Sequence, residues 1–364
     1  MELNRSIRQK KKRRNRQIVY GLLGVLLILY TLFWKAYNDV NRTSNNIFNS
    51  LETNNKRDSQ VVIEATQPIS FAFLGIDKGI YGPEMEAQPG RSDAILIGTV
   101  NPNTRTTTLV SIPRDTYSLM VDYDYYGDWP YYDKLTHAYA FGDAEMAVNS
   151  IQELINVPID YYVEVNMQGL IDIVDAIDGI EVVSPLTFEY EGNHFTKNKK
   201  VKINGKEALA FARMRKTDPE GDFGRQKREK MVIKAILDKV ISFGSISNYQ
   251  SILGTLEDNV KTNLKIEDIV SMYSSYGKSL EQFNTENLIG EELWVDDIYY
   301  LYTYPEDRLK ISNTLRNELE LDEITMDDMT LFDVDYVEQE QSYYEEVTDD
   351  WYYEEDYTED YSEY

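Results

Sequence analysis

The chain has 364 residues, two histidines, no cysteine and a formal net charge of −26, from 37 Lys and Arg against 63 Asp and Glu. That acidity excludes a whole-chain nucleic-acid binder, and the missing thiols exclude disulfides, Cys-ligated zinc, iron–sulfur centres and thiol catalysis. With 42% hydrophobic and 12% aromatic residues, there is material for a sizeable core and one or two domains.

The charge falls into three regimes. Residues 1–17 carry a net +7, and residues 317–364 carry 20 acids with no Lys or Arg. Between the basic cluster and Lys35 lies the uncharged run IVYGLLGVLLILYTLFW, residues 18–34, which spans roughly 25 Å as a helix. Tyr20, Tyr30 and Trp34 sit near its ends, as interfacial aromatics do. No small-x-small cleavage site follows, so the run reads as an uncleaved transmembrane anchor rather than a signal peptide. The positive-inside rule then keeps residues 1–17 in the cytoplasm and places the rest outside the cell membrane.

Residues 35–67 are polar and read as an extracellular spacer, with Val40, Ile47, Phe48 and Leu51 able to form a weak amphipathic helix. The globular domain is expected over 68–320. Ser70–Ile76 is a continuous apolar run suited to a strand buried on both faces. Ala94–Val100 and Thr107–Ile112 follow as an antiparallel hairpin across the turn Asn101-Pro-Asn-Thr-Arg105. Asp77, Arg91, Asp93, Arg114 and Asp115 would share one rim if the first strand runs parallel to the third.

Further on, helices are expected over 138–156, 167–177, 204–211, 223–241, 248–259, 266–276 and 308–319, and strands over 161–165 and 180–184. The pattern predicts an α/β fold, an α-β-α sandwich around a central mixed sheet, preceded by one transmembrane helix. Residues 321–364 are acidic, Tyr-rich and of low complexity. They read as a disordered solvating tail, or as a polyanion that folds back on a cationic cleft.

The chemically loaded segment is ARMRKTDPEGDFGRQKRE, residues 212–229. If Asp222 is the N-cap of the long helix, Arg225, Lys227 and Arg228 fall in its first two turns, where cations oppose the helix dipole. A bound anion would compensate them. The alternative is a solvated basic face paired with Asp218, Glu220, Asp222 and Glu229. Asp77, Asp93 and Asp115 are open to two readings as well, as strand-end partners of Arg91 and Arg114 or as ligands of a Mg²⁺ that bridges to phosphate oxygens.

GID (75–77), GRSDAILIGTVNP (90–102), SIPRD (111–115), KLTHAYAFG (134–142) and ARMRKTDPEGDFGRQKR (212–228), in this order, resemble the LytR-CpsA-Psr family. The resemblance implies a phosphotransferase that moves an anionic glycopolymer, such as teichoic acid or a capsular polysaccharide, from a polyprenyl-pyrophosphate carrier to peptidoglycan. It implies Mg²⁺ (or Mn²⁺) on Asp77 and Asp93, and pyrophosphate on Arg91, Arg114, Arg213, Arg215 and Arg225. Arg114 would also stabilise the reacting phosphate, with Asp115 or Asp222 activating the acceptor hydroxyl. The polyprenyl chain would need an apolar tunnel between sheet and helices.

Two positions depart from the family pattern. Glu229 stands where a glutamine is usual, and it could repel the diphosphate, pair with an arginine, or serve as a metal ligand or base. Phe141-Gly142-Asp143 stands where a glycine pair is common. His137 is read as structural. A phosphohydrolase on the same carriers and a non-catalytic polymer tether are the alternative functions, and the intact Asp and Arg sets weigh against the tether.

Overall fold

The computed structural model describes residues 30–330, apart from 32–33, 36, 52–55, 58–60, 62, 64–66, 81, 124–129, 243–253, 255, 258, 266–267, 269–270, 273–274 and 281. Most of the expected anchor, most of the helix expected over 248–259 and all of 331–364 lie outside the described residues. Among the described residues no helix is long and apolar enough to cross a membrane.

Apolar runs build the middle of the sheet. β1 (Ile69–Ile76), β2 (Ser92–Asn101) and β3 (Thr106–Ile112) are buried along most of their length, as strands covered on both faces must be. β1 pairs antiparallel with β2, and β2 antiparallel with β3. The first strand therefore runs parallel to the third, and residues 77, 91–93 and 113–115 gather at one end of the sheet. The hairpin turn is held by Asn101, whose side-chain oxygen accepts from the Asn103 and Thr104 amides at 2.8 and 3.2 Å.

The other strands are β4 (Tyr117–Leu119) with β5 (Tyr132–Lys134), β6 (Tyr161–Asn166), β7 (Ile180–Val183), β8 (Phe188–Tyr190) with β9 (Asn193–Phe195), β10 (Lys200–Ile203), β11 (Val260–Thr262), β12 (Gln282–Asn287), and β13 (Glu291–Val295) with β14 (Ile298–Tyr302). β6, β11 and β12 join β1, β2 and β3 in one six-stranded sheet in the order β11-β6-β1-β2-β3-β12. β6 is parallel to β1 and β12 to β3, while β11 is antiparallel to β6, so the sheet is mixed.

Helices cover both faces. On one, α1 (Leu135–Ile155) and α5 (Pro305–Glu318) pack Val148, Ile151, Ile311 and Leu315 against Ile95, Ile97 and Val110 of the sheet. On the other, α2 (Met167–Ala176), α3 (Gly205–Arg213) and α4 (Gly221–Ser242) gather Val174, Phe211 and Val232 into a second apolar cluster. α3 begins at a capping box: the Asn204 side chain accepts from the Glu207 amide at 3.0 Å, and Glu207 accepts from the Asn204 amide at 2.8 Å. That start fixes Arg213 in the last turn.

Three boundaries differ from the sequence reading. The amphipathic helix expected in the spacer is present over 37–47, and it is packed on the domain, with Ile47 buried and the Asn49 amide donating to the Thr262 carbonyl. Residues 321–330, expected to belong to the acidic tail, fold back on α5, because Met329 is buried and Arg308 and Arg316 donate to the Thr330 and Asp322 carbonyls. Asp222 is not an N-cap. It lies inside the first turn of α4, which starts one residue earlier at Gly221.

Candidate functional site

Arg114 leaves the end of β3 and turns back toward β2, where its Nη1 donates to Asp93 Oδ2 at 2.8 Å. Thr136 donates to the other oxygen of Asp93 at 3.4 Å. Asp77, directly after β1, accepts from the Arg91 amide at 2.6 Å and from the Arg91 guanidinium at 3.1 Å. The Asp77 and Asp93 amides both donate to the Arg91 carbonyl at 3.1 Å. That shared acceptor sets the two aspartates side by side at the carboxyl end of the sheet.

α4 supplies the opposite wall. Arg225 donates to Asp222 and Glu229, one turn either side of it, at 2.8 Å each, and to the Asp93 carbonyl at 2.9 Å. Burial alone would lower the Arg225 pKa, but Glu229 and Asp222 outweigh it and hold the guanidinium firmly charged. Asp222 also accepts from Gln226 at 2.9 Å and faces Arg215 at 3.5 Å. Burial favours its neutral form, yet these cations and donors keep its pKa below the usual carboxylate range. Glu229 goes the other way: burial, with Asp222 and Asp93 nearby, raises its pKa against the pull of Arg225.

The basic segment therefore divides. Arg228 is fully buried and is not a ligand for anything outside the fold. It donates to the Phe211 and Met214 carbonyls and to Asp218, and lies 5.5 Å from the Phe188 ring. Gly224 lies against this group, and a Cβ there would strike the Asp218 carboxylate. Lys227 pairs with Glu220 at 2.6 Å. The cations in the first turns of α4 thus have carboxylate partners within the chain, as the alternative reading expected, but Arg225 and Arg228 are buried and do not form a solvated face.

Asp93, Arg114, Arg213, Arg215, Arg225 and Glu229 form the polar rim of an otherwise apolar cavity of about 430 Å³. It runs between the sheet and the helices of the second cluster, lined by Phe73, Leu96, Val163, Leu209, Val232 and Ile236 among others. Arg213 faces Glu191 of the β8–β9 turn at 3.4 Å. Asp115 lies next to the rim, 3.5 Å from Arg114 and 3.4 Å from Lys134. Asp77 and Arg91 stand beside it, outside the lining residues.

Asp77, Arg91, Asp93, Arg114, Asp115, Arg213, Arg215, Asp222 and Arg225 thus lie in or next to one cleft. Glu229 resolves as an arginine partner on the rim. Lys134 opens the KLTHAYAFG motif, but only the fold shows that it reaches Asp115. His137 contacts Asp133 at 2.9 Å through Nδ1, away from the rim residues.

The LytR_cpsA_psr family model matches residues 34–317. The chain belongs to that family. A family relative in Enterococcus faecalis, named polyisoprenyl-teichoic acid–peptidoglycan teichoic acid transferase TagU, is 38% identical over 303 residues, which is 83% of this chain and 96% of the relative. The crystal structure of Bacillus subtilis TagU is 35% identical, with a TM-score of 0.56 over 71% of this chain and all of that one, 100%. A structure described as TagT bound to LIIa-WTA superposes with a TM-score of 0.61 at 28% identity, covering 75% of this chain and 100% of the other. These neighbours share the α/β fold with its central mixed sheet.

Proposed function

We propose that the protein is a phosphotransferase that attaches an anionic glycopolymer, of the teichoic acid class named for its relatives, from a polyprenyl-diphosphate carrier to peptidoglycan. The observation that carries this is the cavity: an apolar channel that ends under a rim of four arginines, Asp93 and Glu229 has the shape and polarity of a lipid diphosphate. Residues 18–34 would anchor the chain in the cytoplasmic membrane, with residues 1–17 inside and the domain 68–320 outside, where both substrates meet.

In this reading Arg114, Arg213, Arg215 and Arg225 hold the diphosphate, with Arg91 beside them. Each is already oriented by a carboxylate or carbonyl partner, so little reorganisation is needed when charge builds on the phosphate oxygens. The acceptor hydroxyl attacks the phosphorus that carries the glycopolymer. The bond from that phosphorus to the bridging oxygen breaks, polyprenyl monophosphate leaves, and a phosphodiester remains. Asp222 is engaged by three side chains that keep its pKa below the usual carboxylate range, which makes it a positioning residue. Asp115 is the carboxylate left to take the hydroxyl proton.

Mg²⁺ or Mn²⁺ suits the donor set, since Asp77 and Asp93 offer adjacent carboxylates with no nitrogen or sulfur ligand. Among the described residues no group of three or more His, Cys, Asp or Glu side chains could hold a metal ion unaided. The two carboxylates would therefore bind it together with substrate oxygens and water, and it would neutralise diphosphate charge. Turnover of a polyprenyl-diphosphate glycopolymer by the purified full-length chain tests the site. Asp93→Ala and Arg114→Ala should each slow release of polyprenyl monophosphate about 100-fold or more. Unchanged rates in both would contradict the assignment.

A further inference from the structure

β13 and β14 form a hairpin whose two-residue turn, Asp296-Asp297, takes the left-handed backbone (φ 49° and 62°) that tight hairpins require. One face is buried: Leu293 and Tyr300 join the core, and Tyr300 meets the Tyr117 ring edge-on at 5.2 Å. The other face is not. Trp294 is 56% exposed, pairs across the strands with Tyr299 and meets its ring at 5.5 Å.

This exposed aromatic face is tied to the reacting centre through the backbone. The Leu301 amide donates to the Asp115 carbonyl at 2.8 Å, and Thr116 bridges to Leu301. Lys134 connects the side chains as well. Its Nζ is 3.4 Å from Asp115 and 5.9 Å from the Tyr299 ring centroid. Burial, with Glu292 and Asp115 close by, holds the Tyr299 hydroxyl above its usual pKa, so this ring sits within electrostatic reach of the proposed base.

The charge around the face selects the occupant. Glu291, Glu292, Asp296 and Asp297 of the hairpin outnumber Lys134 and Arg215 beside it, and residues 282–304 contain no Lys or Arg. A phosphate-bearing donor chain would be repelled there. Uncharged sugar rings would not, and their C–H faces stack on aromatic rings that keep a polar edge in water. Resting on the transferase reading, we propose that Trp294 and Tyr299 form the platform on which the glycan strand of the peptidoglycan acceptor stacks, delivering its hydroxyl toward Asp115.

The test is isothermal calorimetry of the full-length chain with a peptidoglycan tetrasaccharide and no donor, for wild type, Trp294→Ala and Trp294→Phe. Trp294→Ala should bind about tenfold more weakly, the loss typical of an aromatic anchor, and Trp294→Phe should recover most of the affinity. Because Trp294 is exposed, the thermal midpoints should agree, which separates lost stacking from lost folding. Equal affinity in wild type and Trp294→Ala would overturn the proposal. So would tetrasaccharide-independent self-association that Trp294→Ala abolishes, which would make the face an interface between copies. Failure of the wild type to transfer glycopolymer would count against the transferase reading and leave this binding result to stand or fall alone.

Discussion

At the residue scale, two arginines that look equivalent in the sequence differ in what they hold. Arg225 links Asp222, Glu229 and the Asp93 carbonyl, and its side chain and that of Glu229 are each only 11% exposed. Arg225→Ala leaves two buried carboxylates facing each other and should destabilise the fold by about 3 kcal/mol or more in urea denaturation, besides abolishing turnover. Arg114 is itself 28% exposed and pairs with Asp93 from there. Arg114→Ala should change stability by no more than about 1 kcal/mol while slowing turnover about 100-fold.

Glu229 gives a pH signature. Its raised pKa means the native state holds the proton more tightly than the unfolded chain does. The stability it contributes is complete below the unfolded-state value and is lost as pH rises through the folded-state value. Glu229→Gln cannot titrate, yet its amide oxygen can still accept from Arg225. The thermal midpoint of Glu229→Gln relative to wild type should therefore rise across the pH window that opens above the ordinary glutamate value of 4.5. A constant difference across that window would show that Glu229 carries no penalty.

At the element scale, the break in α1 explains the departure after HAYA. Gly142 (φ −149°) and Asp143 (φ 51°, ψ −153°) leave the helical region and split α1 in two. The Asp143 backbone lies close to a region that glycine occupies and side chains avoid, which is where the family more often places a second glycine. Asp143→Gly should relieve the strain and stabilise the protein by about 1 kcal/mol, read as a higher thermal midpoint. A lower midpoint would mean that the Asp143 side chain contributes more than its backbone loses.

The same scale shows what the sequence could reveal. β1, β2 and β3 were legible because both faces of each are covered and the runs are continuously apolar. α3 was legible because Asn204 and Glu207 spell a capping box. β12 (QFNTEN) was not, since most of this edge strand is exposed and no alternation survives. β13 and β14 hid among tyrosines and acids whose pairing depends on a Asp296-Asp297 turn that composition does not single out. The site residues were legible as a set from motif order. Their division of labour was not, because Arg225 and Arg228 are three residues apart on one helix and only packing separates a rim arginine from a buried one.

At the scale of the whole molecule, the account rests on a cavity that runs from polar rim to apolar interior on one face of the sheet. Ile236 lines its apolar part. Ile236→Trp should fill that space and raise KM for long-chain polyprenyl substrates far more than for a short-chain analogue. Equal effects on both would mean that the chain of the lipid does not enter. Under the proposed function the basic residues 1–17 would lie on the cytoplasmic side and residues 18–34 would anchor the chain, with the cationic rim set in an otherwise acidic middle region.

The most direct measurement is the fate of the glycan phosphate when the purified full-length chain meets a polyprenyl-diphosphate glycopolymer, with and without a peptidoglycan oligomer. The account predicts polyprenyl monophosphate together with glycopolymer joined to peptidoglycan through a phosphodiester, dependent on Mg²⁺ and on Asp93. Free glycopolymer phosphate as the sole second product, with the oligomer present, would contradict it.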